Sequence, residues 1–133
     1  MCSSDLDHYH DIEEIEAYLQ AAADRFASLT ELVEIGRSLE GRPILALEIN
    51  NLETGAANEK PGFYVDGNIH GGELLGGEAA LHFIDTLLSA YGNDARITAM
   101  VDTTAFYIVP IVNPDGRAIS VDTPENHRWN TRR

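Results

Sequence analysis

Two apolar runs separated by one long apolar helix constrain this chain more than any other feature. Phe63-Tyr64-Val65 precedes the helical stretch from Leu74 to Tyr91, and the most hydrophobic run, Ala105 to Val112, follows it. In the helical stretch Leu74, Leu81, Ile84, Leu88 and Tyr91 fall on one stripe, widened by Ala80, Phe83 and Leu87. That is the pattern of a helix laid against a sheet. Strand, helix and strand in this order give a right-handed crossover with parallel strands. A shorter helix, opened by Asn93-Asp94 and running through Val101, fits inside the same connection.

The first half adds an antiparallel part. Ile12, Ile15, Leu19, Ala22 and Phe26 recur at three- and four-residue steps behind Asp11, a natural N-cap, with Glu13, Glu14 and Glu16 in the first turn. Leu32 to Ile35 reads as a strand ended by Gly36, and Ile44 to Ile49 as its partner across the turn Glu40-Gly41-Arg42-Pro43. Asn50 to Pro61 is a surface loop. The predicted fold is α/β, a mixed sheet flanked by helices, and Phe63-Tyr64-Val65 is expected to be buried in it.

The chemistry sits just behind the two apolar runs. His70-Gly71-Gly72-Glu73 places an imidazole and a carboxylate three residues apart, and the glycines let the backbone turn tightly enough for both to reach one ion. Zinc takes His nitrogen and Glu oxygen, and a catalytic site uses three protein ligands and leaves one position open. Asn113-Pro114-Asp115-Gly116, a strong turn signal, ends the second run and reads as a positioning turn. In open α/β sheets ligands bind beyond the carboxyl ends of the strands, so neighbouring strands would put both loops on one rim. Among the other histidines, His82 lies between apolar helix residues and reads as a core residue. His8, His10 and His127 read as surface residues. No third zinc ligand stands out.

With these motifs the chain resembles the zinc carboxypeptidases, the carboxypeptidase A-like metallopeptidases. The resemblance rests on the His-x-x-Glu pair after a strand, the Asn-Pro-Asp-Gly turn after the next, the segment Glu40-Gly41-Arg42-Pro43-Ile44, and the arginine-bearing tail. It covers Tyr9 to Arg133 and would correspond to the N-terminal part of a catalytic domain, a truncated three-layer sandwich. By resemblance His70 and Glu73 are zinc ligands for one Zn2+. Arg128 is the arginine that polarises the scissile carbonyl and binds substrate, with Arg132 as second choice for that role. The implied reaction is hydrolysis of the C-terminal peptide bond of a peptide or protein by a metal-activated water. Gly72 stands where digestive members carry a substrate-binding arginine, so side-chain preference does not carry over. The family's second zinc histidine and general-base glutamate have no match here, so the chain as it stands is expected to be inactive and to aggregate through an apolar sheet edge.

Composition narrows the alternatives. A net charge of −13 repels nucleic acid, no apolar stretch is long enough to span a bilayer, and one cysteine rules out an internal disulfide framework. The N-terminus shows no signal-peptide pattern. Compartment stays open, a secreted or periplasmic location being what the family suggests, and so does oligomeric state. Residues 1–6 are what the end of a sequencing adapter encodes when read from GTG. They are expected to be non-native, with 7–133 forming the domain. Nucleotide binding at the glycine-rich stretch Gly67 to Gly77 is disfavoured, because Glu73 stands where a phosphate-binding loop needs lysine. Two other readings remain: a zinc deacylase of the aspartoacylase kind, which shares the His-x-x-Glu pair, and a non-catalytic binding module.

Overall fold

The computed structural model describes residues 8–122. The predicted N-cap opens helix α1 (Ile12–Arg25), and Asp11 and Glu14 form a reciprocal capping box. Strands β1 (Thr30–Arg37) and β2 (Pro43–Ile49) form the expected antiparallel hairpin. Gly36 does not end β1. It lies at a register shift between Glu34 and Gly36, and the strand runs on to Arg37.

After the 50–61 loop come β3 (Gly62–Asp66), α2 (Leu74–Ala90), α3 (Ala95–Thr103), β4 (Ala105–Val109) and α4 (Pro114–Asp122). Asp94 caps α3 by accepting from the Arg96 and Ile97 N–H groups. The sheet order is β1-β2-β4-β3, with β3 parallel to β4 and the other pairs antiparallel. The crossover and the mixed sheet follow the sequence pattern. The second apolar run is shorter as a strand than expected, since Pro110 has no N–H for the ladder.

Register explains the core. Leu32, Leu47, Ile108 and Val65 line up across all four strands on one face. They meet Ile15 and Leu19 of α1 and Leu81, Ile84 and Leu87 of α2 in a single apolar cluster. The next row on the opposite face, Glu31, Glu48, Tyr107 and Tyr64, is polar or half-polar. Tyr18 Oη donates to the Leu81 carbonyl, so the two helices lie side by side over the same face.

One expectation fails. Phe63 and Tyr64 are 51% and 59% exposed: β3 is paired on one side only among the described residues, and Tyr64 lies on the face opposite α1 and α2. Its outer edge presents free backbone groups flanked by aromatic side chains, a template for pairing with another chain. Tyr64→Lys should therefore lower concentration-dependent light scattering of the 133-residue chain. Equal scattering by both proteins would remove this edge as the cause of self-association.

Candidate metal centre

Beyond their last residues β3 and β4 stay side by side. The Gly67 N–H donates to the Val109 carbonyl at 3.0 Å, Val112 N–H to Gly67 O at 3.0 Å, and Asn113 N–H to Asn68 O at 3.1 Å. The two motif loops thus share the carboxyl rim. Asn-Pro-Asp-Gly is not a turn but the start of α4. Asn113 Oδ1 accepts from Gly116 N–H, and Pro114 takes the first helical position, where a missing N–H costs nothing.

On this rim His70 Nδ1 lies 3.0 Å from Glu73 Oε1, and His70 N–H donates to Glu73 Oε2 at 3.2 Å. Hydrogen bonds from the His70 ring first, then from its backbone N–H, hold the Glu73 carboxyl below the usual range. Both side chains are open to solvent. Two ligand atoms on one tetrahedral zinc stand roughly 3.3 Å apart, given bonds of about 2.0–2.1 Å. An imidazole nitrogen and an ionised carboxylate oxygen at 3.0 Å fit two adjacent positions of such an ion. Among the described residues no group of three His, Cys, Asp or Glu side chains could hold a metal. The pair lies beside a cleft of about 580 Å³ lined by Arg37, Leu39, Ile44, Ile69, His70 and Asn113, among others.

The other histidines change roles. His82 is exposed on the outer side of α2 rather than in the core, because the helix buries Leu81 and Ile84 instead. His10 is not a solvated residue: its Nδ1 lies 2.7 Å from Glu78 Oε2 and its N–H donates to Glu78 Oε1. Arg128, Arg132, His127 and the 1–6 segment lie outside the described residues.

Close approach explains two glycines. A Cβ on Gly71 would stand 2.5 to 2.7 Å from backbone atoms of Gly116, so the His-x-x-Glu loop packs directly on the first turn of α4. On Gly77 it would meet Arg117 Nη1 at 2.7 Å. Asp115, the third residue of the second motif, is buried and grips the β1–β2 turn. It accepts from Ser38 Oγ and Arg42 Nη1, each at 2.7 Å, and from the Glu40 N–H at 3.1 Å. Burial alone would raise its carboxyl, but bonds from Ser38, Arg42 and the Glu40 N–H outweigh that and hold it low.

Sequence reasoning missed three residues here: Asn68, Glu78 and Arg117, all tied into one buried network. A signal for α4 existed, since Asn followed by Pro and Asp spells N-cap, first and second helical positions. No local signal marks Asn68.

Comparisons with known proteins bear on the family and the fold. The sequence model of the family described as zinc carboxypeptidase matches residues 15–133. Carboxypeptidase E of Caenorhabditis elegans is 35% identical over 95% of this chain and 27% of its own length. Carboxypeptidase M of Mus musculus is 39% identical over 81% of this chain and 24% of its own. Carboxypeptidase A from Helicoverpa armigera superposes with a TM-score of 0.80 at 29% identity, over 96% of this chain and 29% of that one. Thrombin activatable fibrinolysis inhibitor superposes at 0.86 and 27% identity, over 98% and 31%. The chain therefore spans about a quarter to a third of these proteins.

Two outcomes are expected. Gly71→Ala forces the loop and α4 apart and should cost about 1–3 kcal/mol in denaturant unfolding. Gly36→Ala, with open space around the new methyl group, should stay within about 0.5 kcal/mol. Equal effects of the two changes would contradict the packing argument. Asp115, with its folded pKa below the unfolded value of about 3.9, contributes stability above that value and loses it as pH falls through the folded one. Asp115→Asn should therefore melt lower at neutral pH, with the gap to wild type closing as pH falls below about 4. A gap that stays constant over that range would count against this role.

Proposed function

Because the chain belongs to the zinc carboxypeptidase family, we propose that it forms the His70–Glu73 half of the zinc site of an enzyme hydrolysing C-terminal peptide bonds. The observation that carries the reading is the His70–Glu73 contact on the rim shared by both motif loops. A zinc ion there would supply Lewis acidity toward the scissile carbonyl and the attacking water. This chain's part is to hold two ligands: His70 through neutral imidazole nitrogen, Glu73 through a carboxylate kept ionised by its hydrogen bonds. The cleft beside His70 leaves room for a peptide end to approach. The reading assigns Arg128, with Arg132 as the alternative, to the scissile carbonyl. It assigns the remaining zinc ligand and the general base to sequence that this chain does not contain. Carboxypeptidases among the relatives favour a peptide over an acyl-amino acid as substrate.

Isothermal titration of the full chain with Zn2+ tests the reading. One ion should bind weakly, as two protein ligands allow, and both His70→Ala and Glu73→Ala should abolish it. The chain alone should leave C-terminal peptide substrates uncleaved. Zinc binding that survives both substitutions would sink the assignment of the ligands, and turnover by the 133-residue chain would sink the assignment of the base to other sequence.

A further inference from the structure

Arg117 is 0% exposed and sits one residue past the Asn-Pro-Asp-Gly motif. A guanidinium has five N–H donors, and five hydrogen bonds leave this one. Nε and Nη2 both reach the His10 carbonyl, Nη2 also reaches Glu78 Oε1 at 2.6 Å, and Nη1 reaches the Leu74 carbonyl and Asn68 Oδ1. Asn68 is equally buried and is the non-glycine residue with positive φ among those described, at 55°. Asparagine tolerates that conformation better than most side chains.

The contact with Arg117 also orients the amide. A guanidinium can only donate, so Oδ1 must face it and Nδ2 must face the other way. Nδ2 then donates to the carbonyls of His70, at 2.7 Å, and Gly71, at 3.2 Å. Those two carbonyls belong to the turn that brings the His70 ring to the Glu73 carboxylate. The Glu73 N–H closes the same turn by donating to His70 O at 3.0 Å.

We propose that Asn68, held by Arg117, is the positioning residue of the metal loop: it fixes the backbone at His70 and Gly71, and thereby the spacing of the two ligand side chains, before any metal arrives. The proposal rests on the metal reading above for its consequence and on the loop geometry alone for its cause. Neither residue touches the ion. Their effect on it passes through the backbone they hold, as with other groups that orient metal ligands from outside the coordination sphere.

Asn68→Asp is the informative variant. It keeps the size, the tolerance of positive φ and the acceptor for Arg117, and exchanges the amide donor for an oxygen facing two carbonyls while adding a negative charge, which Asn68→Gly, lacking both, controls for. Two readouts on the full chain decide. In metal-free protein, hydrogen exchange at the Gly71 to Glu73 amides should speed up by at least tenfold in the variant, with the melting curve confirming a folded chain. In titrations with Co2+, affinity should fall about 10–100-fold, and the visible ligand-field spectrum should change shape. If Asn68→Asp does not fold, Asn68→Gly, which accepts the same φ without strain, takes its place with the same expectations. A folded variant with unchanged loop exchange overturns the proposal. Faster exchange with unaltered Co2+ affinity and spectrum overturns its consequence for the metal. If wild type takes up no Co2+ while exchange still accelerates, the metal reading fails and the positioning of the loop stands.

Discussion

The rim of this sheet depends on one buried cation. Arg117 joins four stretches that are distant in sequence: the segment leading into α1 through His10, the loop after β3 through Asn68, the start of α2 through Leu74 and Glu78, and α4 itself. Burial pulls its pKa down, and the hydrogen bond and charge of Glu78 only partly offset that. A guanidinium keeps its proton under such conditions, so the charge stays. Removing one member of a buried pair leaves the other uncompensated, at about 3–5 kcal/mol. A domain's whole stability is about 5–15 kcal/mol. An interaction of that size, placed where four segments meet, governs whether the rim exists in one arrangement or several.

Around it the polar and steric parts agree. Gly77 leaves space for the guanidinium, and Gly71 lets the His70–Glu73 loop lie on the backbone of Gly116. Asp115, two residues before Arg117, reaches in the opposite direction and holds the β1–β2 turn through Ser38, Arg42 and the Glu40 N–H. The first turn of α4 therefore contacts both the His70–Glu73 loop and the hairpin turn. No buried side-chain nitrogen or oxygen among the described residues lacks a hydrogen-bond partner, as expected where a half-satisfied network would be worse than an apolar one.

How much of this is legible in the sequence depends on the kind of force involved. Apolar periodicity reports burial, so α1, α2 and the β3–β4 crossover can be read from Ile12, Ile15 and Leu19, from Leu81 and Ile84, and from the run at 105–109. Periodicity does not report how many neighbours a strand has, and Phe63-Tyr64-Val65 reads as buried while it lies at an edge among the described residues. The His70–Glu73 pair is legible because both residues are close in sequence. The Arg117–Asn68 bond joins residues 49 apart, and the His10–Glu78 bond joins residues 68 apart. No window of sequence contains either one. His10 and His82 exchange their expected roles for the same reason: the environment of a histidine is set by what folds against it.

The sheet and the rim are thus held by different physics. The row Leu32, Leu47, Ile108 and Val65 is stabilised by removing apolar area from water, which is non-directional and tolerates changes of shape. A metal site needs its ligands held to within about half an ångström, and apolar packing alone does not supply that at loops whose backbone groups must find partners. Hydrogen bonds do, because distance and direction are both specified. Thinning the core should loosen the whole domain while leaving the folded loop's geometry unchanged. Altering the network at Asn68 should change that geometry in a domain whose core stays packed. The placement of His70 and Glu73, the proposed ligands, is therefore carried by the polar residues beneath the rim, not by the size of the apolar core below them.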